Sequence, residues 1–346
     1  MKKSLLALAV LSAFAGAASA QSSVTLYGRV DVALGKAPFD NDKQEANGSG
    51  SRVGLRGVED LGGGLAAVFD IQHRFNAQNG AQTATRFWHG LSVVGLKGDF
   101  GQVLLGRNYT ASYTYGQVAA DPWGGDTVVS GNYMKTTRTP AAPTGFTSDR
   151  GTNAILLGGI GATRNDQSIT YSFSQSGFTF AAQLAESDPA IAPGFGSSSN
   201  NAPFANKPFN FALAYNAGPI AAGVSHERPG ADGAKWSTGY FSYNLDVVKL
   251  GAFFGSGTNG NNAGYMKGGN VRSWMVTATA PLGGGEARAA YGQRKEGDVR
   301  DVRLGAIGYH YPLSKRTKLY TDAIKNGGAG TPTDKWGYDF GLQHNF

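Results

Sequence analysis

The fold is decided by residues 338–346, which read Tyr-Asp-Phe-Gly-Leu-Gln-His-Asn-Phe. Bulky side chains stand at every second position, and small or polar side chains fill the positions between them. Successive side chains of a β-strand point to opposite faces, so a period of two predicts a strand with one apolar face. The stretch therefore predicts a strand that lies between an apolar and a polar environment.

The same alternation recurs along the whole chain. Residues 24–32 place valine, leucine and glycine on one face and threonine, tyrosine, arginine and aspartate on the other. Each predicted strand has ~9–11 residues, the length that a tilted membrane strand requires. Sixteen strands are predicted, near residues 24–32, 51–59, 65–75, 85–97, 100–108, 166–175, 177–187, 208–217, 219–226, 235–245, 246–256, 270–280, 285–295, 301–312, 317–325 and 336–346.

The connections between these strands alternate in length. Links after even-numbered strands are short, such as Gly98-Asp99, Ser176 and Ala217-Gly218. Most links after odd-numbered strands are long, at residues 35–50, 76–84, 109–165, 188–207, 227–234, 257–269 and 326–335. Short periplasmic turns alternating with long external loops are typical of an outer-membrane barrel, whereas a soluble β-sandwich does not sort its loops in this way. We therefore predict an all-β fold, a 16-stranded antiparallel transmembrane β-barrel.

The N-terminus predicts export. Lys2 and Lys3 precede a short apolar run, and Ala18-Ser19-Ala20 forms an A-x-A cleavage site. Residues 1–20 are therefore predicted to be a cleaved signal peptide, and residues 21–346 the barrel. No later segment has the ~20 consecutive apolar residues of a transmembrane helix. The predicted location is the outer membrane of a Gram-negative bacterium.

The composition agrees with a barrel that has a water-filled interior and an apolar outer surface. The chain has 52 glycines and only 16% charged residues, and its mean hydropathy is −0.26. It has no cysteine, so no disulfide scaffold is available. The net charge of +7 falls to +5 without Lys2 and Lys3. Basic residues do not cluster in runs, which argues against a nucleic-acid partner.

The longest predicted connection, within residues 108–165, interrupts the strand rhythm. A connection of this length in a compact domain is usually functional. We predict that this third external loop folds into the lumen and narrows it, with Asp121 and Asp126 as its acidic groups. Asp121-Pro122 and Gly124-Gly125-Asp126 also read as turns, so a turn-forming role for both aspartates stays open.

Several motifs resemble the general diffusion porins of β-proteobacteria, the neisserial and Burkholderia-type family. The resemblance covers the whole chain. The motifs are Val24-Thr25-Leu26-Tyr27-Gly28, Ser51 to Gly57 with Glu59-Asp60-Leu61-Gly62, Val94-Gly95-Leu96-Lys97-Gly98, Gly106-Arg107, Leu313 to Thr317 with Leu319-Tyr320, and Gly341 to Phe346.

This resemblance implies an outer-membrane porin, a homotrimer whose water-filled channel passes ions and small hydrophilic solutes passively. It also implies basic side chains on the barrel wall opposite acidic groups of the third loop. Asp121-Pro122-Trp123 is similar to the acidic segment of that loop. A closing strand that ends on Phe346 is the signal read by the barrel-assembly machinery. Outer-membrane lipid is the remaining expected partner.

Six arginines are the basic candidates for the constriction, and the predicted channel is weakly anion-selective. Lumen-facing parity is shared by Arg29, Arg52, Arg56 and Arg74. Positions within a few residues of external strand ends are shared by Arg52, Arg74, Arg86 and Arg164. The parity of Arg86 and Arg107 is ambiguous, because a bulge would reverse it. Gln343 and Val103-Leu104-Leu105 depart from the family pattern, which bears on the strength of the selectivity. The candidates are Arg29, Arg52, Arg56, Arg74, Arg86 and Arg164.

Other functions are weighed against this one. A substrate-specific channel could use Tyr109, Tyr113, Tyr115 and Trp123 as an aromatic track. A barrel-embedded lipid hydrolase would need a histidine beside a serine on the outer wall, and a purely structural surface antigen would have a closed pore. No catalytic motif, cofactor or metal is predicted, so the chain is not expected to be an enzyme. Residues 40–45 only hint at calcium because they lack the turn glycine of an EF-hand.

Overall fold

The protein forms one sheet of long antiparallel strands. The computed structural model describes residues 22–36, 38, 43–46, 48, 50–84, 86–130, 163–186, 207–229, 233–259, 269–327 and 336–346. The predicted signal peptide, residues 40–42 and residues 131–162 of the long connection lie outside the described residues.

Within the described residues the sheet has sixteen long strands and one short one. They are β1 (Ser23–Lys36), the short β2 (Gln44–Ala46), β3 (Arg52–Gly62), β4 (Leu65–Arg74), β5 (Leu91–Gly98), β6 (Gly101–Tyr109), β7 (Arg164–Gln175), β8 (Phe178–Ala185), β9 (Phe209–Ala217), β10 (Ile220–Arg228), β11 (Ala234–Asn244), β12 (Lys249–Asn259), β13 (Asn270–Leu282), β14 (Gly285–Glu296), β15 (Val299–Pro312), β16 (Thr317–Gly327) and β17 (Trp336–Asn345).

The sheet closes on itself through β1. One half of β1 pairs with β3 as far as Arg29 opposite Arg52. The other half pairs with β17, from Arg29 opposite Asn345 to Lys36 opposite Tyr338. The backbones of Gly28 and Phe346 also exchange two hydrogen bonds, of 3.0 and 3.1 Å. The predicted 16-stranded antiparallel barrel is confirmed, because within the described residues each of the sixteen long strands pairs with a long strand on either side.

Side-chain exposure alternates along the strands as predicted. Phe340 and Leu342 of β17 are exposed on the outside, at 57% and 49%, while Asp339 and Gln343 between them are 1% and 2% exposed. An apolar exterior over a polar interior is the arrangement that suits lipid outside and water inside. None of the described helices is long and apolar enough to span a membrane.

Turn chemistry agrees with the predicted short connections. Gly62, Gly63 and Gly64 between β3 and β4 have φ angles of 84°, 61° and 81°. Residues other than glycine rarely adopt this left-handed region, so a glycine run is what this turn requires.

The structure differs most from the sequence prediction at β5 and at β2. The fourth long strand was expected to begin near residue 85 but begins at Leu91. The backbone before it turns away, with Phe75 bridging to Gln82 and the Phe87 ring stacked 4.0 Å from His73. The short β2 was not predicted, and it pairs with residues 33–35 of β1.

The segment after β6 is not structureless. It contains a π-helical turn (Ser112–Gln117), a 3₁₀ turn (Val118–Ala120) and a single α-helical turn (Thr127–Ser130). We call residues 110–130 the inner segment, because their contacts are with the polar face of the sheet.

Candidate functional site

Three arginines form a row across adjacent strands. Arg29 of β1 is the cross-strand partner of Arg52 on β3, and Arg52 is in turn the partner of Arg74 on β4. Directly opposed residues of an antiparallel pair have Cβ atoms about 5 Å apart, and like charges there are destabilising. A structure that places three cations side by side on its polar face therefore concentrates positive potential at one level.

The acidic partner of this row comes from the inner segment. Arg29 Nη1 donates to Asp126 Oδ2 at 2.8 Å, and each side chain is 20% exposed. Burial raises the pKa of the Asp126 carboxyl above its ordinary value, while the charges of Arg29 and Arg52 partly offset that rise. Among the described residues, Arg52 itself forms no ion pair.

A tyrosine extends the row to β7. Arg74 Nη2 donates to the hydroxyl oxygen of Tyr109 at 2.6 Å. Arg164 donates to the same oxygen, and its guanidinium carbon lies 4.0 Å from the centre of the Tyr109 ring. The cation–π contact and the shared acceptor hold two like charges close together.

Two predicted candidates lie elsewhere. Arg56 is four residues along β3 from Arg52, which is about 13 Å at strand rise. Its cross-strand partner is Asp70, and it lies over the Tyr27 ring at 5.1 Å. Arg86 precedes β5 and pairs with Asp166 at 2.7 Å. The structure therefore groups Arg29, Arg52, Arg74 and Arg164.

Arg107, whose parity was ambiguous, shares the carboxylate of Asp166 at 2.9 Å and is 7% exposed. The register between β6 and β7 shifts between Gly106 and Asn108. Such an irregularity adds a residue on one strand, so alternation cannot be read through it from sequence.

Wall carboxylates hold the tip of the inner segment. The Trp123 indole Nε1 donates to Asp322 Oδ1 at 2.7 Å, and the Val128 amide donates to Asp339 Oδ2 at 2.7 Å. Asp322 and Asp339 are cross-strand partners on β16 and β17, and both are at most 2% exposed. Buried carboxylates require such donors, so this pair specifies where the segment docks.

Asp121 acts within the segment. Its carboxylate accepts the amide of Trp123 at 2.9 Å and that of Gly125 at 2.8 Å. Asp121 therefore has the turn-forming role that Asp121-Pro122 predicts, whereas Asp126 faces the arginine row.

An apolar patch on the inner wall also packs against the inner segment. Trp123, Val128 and Val129 are at most 3% exposed and belong to one buried cluster. Its wall members are Ala33, Tyr240, Phe253, Met275, Ala290, Leu304, Ala306, Tyr320 and Ile324. Sequence reasoning missed this patch, although apolar residues on the lumen parity of several strands were a readable signal.

The start of the inner segment is fixed to other strands. The Ala111 amide donates to Asn210 Oδ1 at 2.7 Å, and Ser112 Oγ lies 3.0 Å from Ser225 Oγ. These partners lie on β9 and β10. The segment thus runs along the polar face of the sheet from β9 and β10 to β16, β17 and β1.

The aromatic residues do not form one track. The rings of Tyr109 and Tyr113 stack at 5.5 Å, and burial raises the pKa of Tyr115, which packs against a separate buried cluster. Trp123 is buried with the wall carboxylates.

A histidine does lie beside a serine on the outer wall, as the hydrolase alternative requires. His226 Nδ1 is 2.8 Å from Ser237 Oγ. The two residues are cross-strand partners, with Ser237 exposed and His226 half-buried. A triad also needs a group that orients the base and donors for an oxyanion. Within the described ranges no side chain bonds the other nitrogen of His226, and the local backbone groups pair within the sheet.

Metal ligation has little support. In the described part of the chain, no three acidic or histidine side chains are grouped to hold an ion. The hinted calcium segment falls mostly on residues 40–42, outside the described residues.

Comparison with known proteins decides the family. The sequence profile described as Gram-negative porin matches residues 7–326. The chain belongs to the Gram-negative porin family. It is similar to outer membrane porin protein 32 of Delftia acidovorans, at 32% identity over 96% of this chain and 92% of that protein. An outer membrane porin protein of Bordetella pertussis is 29% identical over 92% and 93% of the two chains.

Solved structures agree with this porin assignment. An anion-selective porin from Comamonas acidovorans superposes with a TM-score of 0.71 and 26% identity, covering 94% of this chain and all of that one. The predicted family and outer-membrane location are confirmed. Relatives of this porin are channels rather than enzymes, and porins pass solutes and ions by passive diffusion.

Proposed function

We propose that this porin is a general diffusion channel with a weak preference for anions, narrowed where the inner segment faces the arginine row. The observation that carries the proposal is the register of Arg29, Arg52 and Arg74 on three neighbouring strands. Fixed charges at a narrow part of a pore set its ion preference, because the effective dielectric there is below that of water.

The balance of charges accounts for a weak rather than a strong preference. Asp126 neutralises part of the row through Arg29. Asp31 and Asp322 add negative charge on the polar face, although each accepts hydrogen bonds. Arg52 is the member whose charge acts most directly on a permeating ion.

Reconstitution in a planar bilayer tests the diffusion channel itself. The purified porin is expected to give step conductances that rise in proportion to salt concentration, with no saturable block by sugars or amino acids. Saturable block would favour a substrate-specific channel instead, and an absence of conductance would favour the structural antigen.

The raised pKa of Asp126 predicts a pH dependence. As the pH falls, this carboxyl takes up its proton at a higher pH than an ordinary exposed aspartate would. Loss of its charge exposes Arg29, so anion preference should increase on acidification. Reversal potentials measured between pH 7 and pH 4 in wild type and Asp126→Asn check this. The variant should start with the higher anion preference and change less, and equal pH profiles would contradict the assignment.

We propose that the channel has no catalytic activity. The pair of His226 and Ser237 supplies the control, since Ser237→Ala should leave phospholipid turnover at the background of the wild type. Turnover that disappears in Ser237→Ala would establish a hydrolase.

We also propose that the porin assembles as a homotrimer. Light scattering of the detergent-solubilised porin measures the molar mass of the assembly directly.

The aromatic side chain of Phe346 is proposed to act in assembly. The hydrogen bonds between Phe346 and Gly28 use only backbone atoms, so Phe346→Ala keeps them. We expect Phe346→Ala to lower the amount of folded porin in the outer membrane of cells, while its refolding in detergent stays close to that of the wild type. Phe346→Tyr is the matched control and should assemble normally. Equal cellular yields of the alanine variant and the wild type would refute the role.

A further inference from the structure

Four basic side chains lie on the outer face of adjacent strands, where lipid rather than pore water is the neighbour. Arg272 and Lys295 are direct cross-strand partners on β13 and β14. On β15, Arg303 is the cross-strand partner of Gln293, which is the outward-facing residue next to Lys295 along β14. Lys325 of β16 is the cross-strand partner of Gly305, which is the outward-facing position next to Arg303 along β15. All four are exposed, and within the described residues none forms an ion pair.

Aromatic residues fix the level of these cations in the membrane. The rings of Trp274 and Tyr291 lie 5.7 Å apart on the same outer face, and Trp336 is the cross-strand partner of Lys325. Such rings prefer the headgroup level. Arg272 lies one outward position beyond Trp274, toward the end of the barrel with the long connections. The cations are therefore at the level of the lipid phosphates of the outer leaflet.

An apolar groove of about 620 Å³ lies directly below the cations. Its floor is made of small residues, including Ala278, Ala289 and Ala323. Lys325 and Trp336 line its external rim. The alanines lie between larger neighbours, and the groove that they leave in the outer surface can hold an acyl chain.

We propose that the outer face of β13–β16 binds one phosphorylated lipid of the outer leaflet. Its phosphate groups would be held by Arg272, Lys295, Arg303 and Lys325, and an acyl chain would occupy the groove. Like charges directly opposed on a sheet are unfavourable, and a phosphate between them converts the repulsion into charge-assisted hydrogen bonds. Arg303 is already oriented, because its Nε donates to the Tyr291 hydroxyl oxygen at 2.9 Å.

Native mass spectrometry of the detergent-solubilised porin tests the site with bisphosphorylated lipid A as the probe. Phosphatidylcholine of matched chain length is the zwitterionic comparison, and inorganic phosphate is the lipid-free one. We expect retention of lipid A but not of phosphatidylcholine, and no displacement by millimolar phosphate. Each basic residue near a lipid phosphate strengthens binding, so Arg303→Gln/Lys325→Gln should weaken lipid A binding by about tenfold or more.

Matched variants separate the site from general surface charge. Arg228 and Lys235 are exposed basic residues at the external ends of β10 and β11, and neither borders the groove. Arg228→Gln/Lys235→Gln should therefore retain lipid A fully. Ala289→Phe fills the groove from the lipid side and should weaken retention without changing the heat stability of the barrel.

Three results would overturn the proposal. Equal retention of lipid A by Arg303→Gln/Lys325→Gln and the wild type would show that these cations do not bind it. Displacement by inorganic phosphate would assign a simple anion site. Because the chain has no cysteine, Ala289→Cys offers a single thiol, and its disulfide cross-linking between copies in native membranes would make this face a subunit interface instead.

Discussion

Replacing Arg52 with alanine is expected to lower the anion-to-cation permeability ratio more than any other single substitution in the arginine row. Arg52 stands between Arg29 and Arg74 and forms no ion pair with the described residues. A unit charge several ångströms from a permeating ion changes the energy of that ion by about 0.5–1 kcal/mol at a dielectric near that of water. Arg52 lowers the energy of an anion and raises that of a cation, so its removal should lower the ratio about fivefold or more. Reversal potentials in a KCl gradient measure the change.

Arg56→Ala is the matched control for this substitution. Arg56 lies on the same strand and the same face as Arg52 but opposite Asp70. Removing it should shift the reversal potential much less. Arg164→Ala should have an intermediate effect, because its charge stacks on Tyr109. Equal shifts from Arg52→Ala and Arg56→Ala would contradict a localised arginine row.

Replacing Trp123 with alanine is expected to release the inner segment from the wall. The indole is 3% exposed and supplies a hydrogen bond to the buried Asp322. Truncating a buried tryptophan costs about 3–5 kcal/mol of packing. Asp322 keeps His310 Nε2 at 3.2 Å, but the loss of the indole donor adds to that cost. Closed strands hold the barrel independently, so we expect the segment to detach while the barrel stays folded. Single-channel conductance should rise and become noisier.

Trp123→Phe separates packing from hydrogen bonding. It keeps most of the apolar contact and removes only the N–H donor, so its conductance should lie between those of the wild type and Trp123→Ala. The heat stability of the barrel, measured by circular dichroism, shows whether the fold is intact. An unchanged conductance of folded Trp123→Ala would mean that the inner segment does not narrow the pore.

The barrel was predictable from sequence because its determinant is local. Alternation such as that of residues 338–346 follows directly from the two-residue period of a strand, and glycine runs such as Gly62 to Gly64 mark the turns. The start of β5 at Leu91 was predicted wrongly. Phe87 and Trp88 have high strand propensity, but here the Phe87 ring packs on His73 outside the ladder.

The candidate site was only partly predictable, because it depends on register and on distant contacts. Parity placed Arg29, Arg52 and Arg74 on the polar face, and strand pairing then aligned them. No local pattern could tell that Asp121 closes a turn while Asp126 meets a side chain of β1 far away in the sequence.

The wall carboxylates that bind the inner segment, Asp322 and Asp339, could not be predicted for a related reason. Asp339 sits in the very stretch that decides the fold, where it reads simply as a polar member of an alternating strand. Its hydrogen bond joins residues separated by 211 positions. Long-range pairs of this kind have no signature in one sequence.

The reversal potential of the wild-type porin in a KCl gradient tests the central claim most directly, namely that the arginine row sets the ion preference of a passive channel. The row predicts a modest preference for chloride over potassium at neutral pH, and loss or reversal of that preference in Arg52→Ala under the same gradient. A clear potassium preference in the wild type would contradict the account.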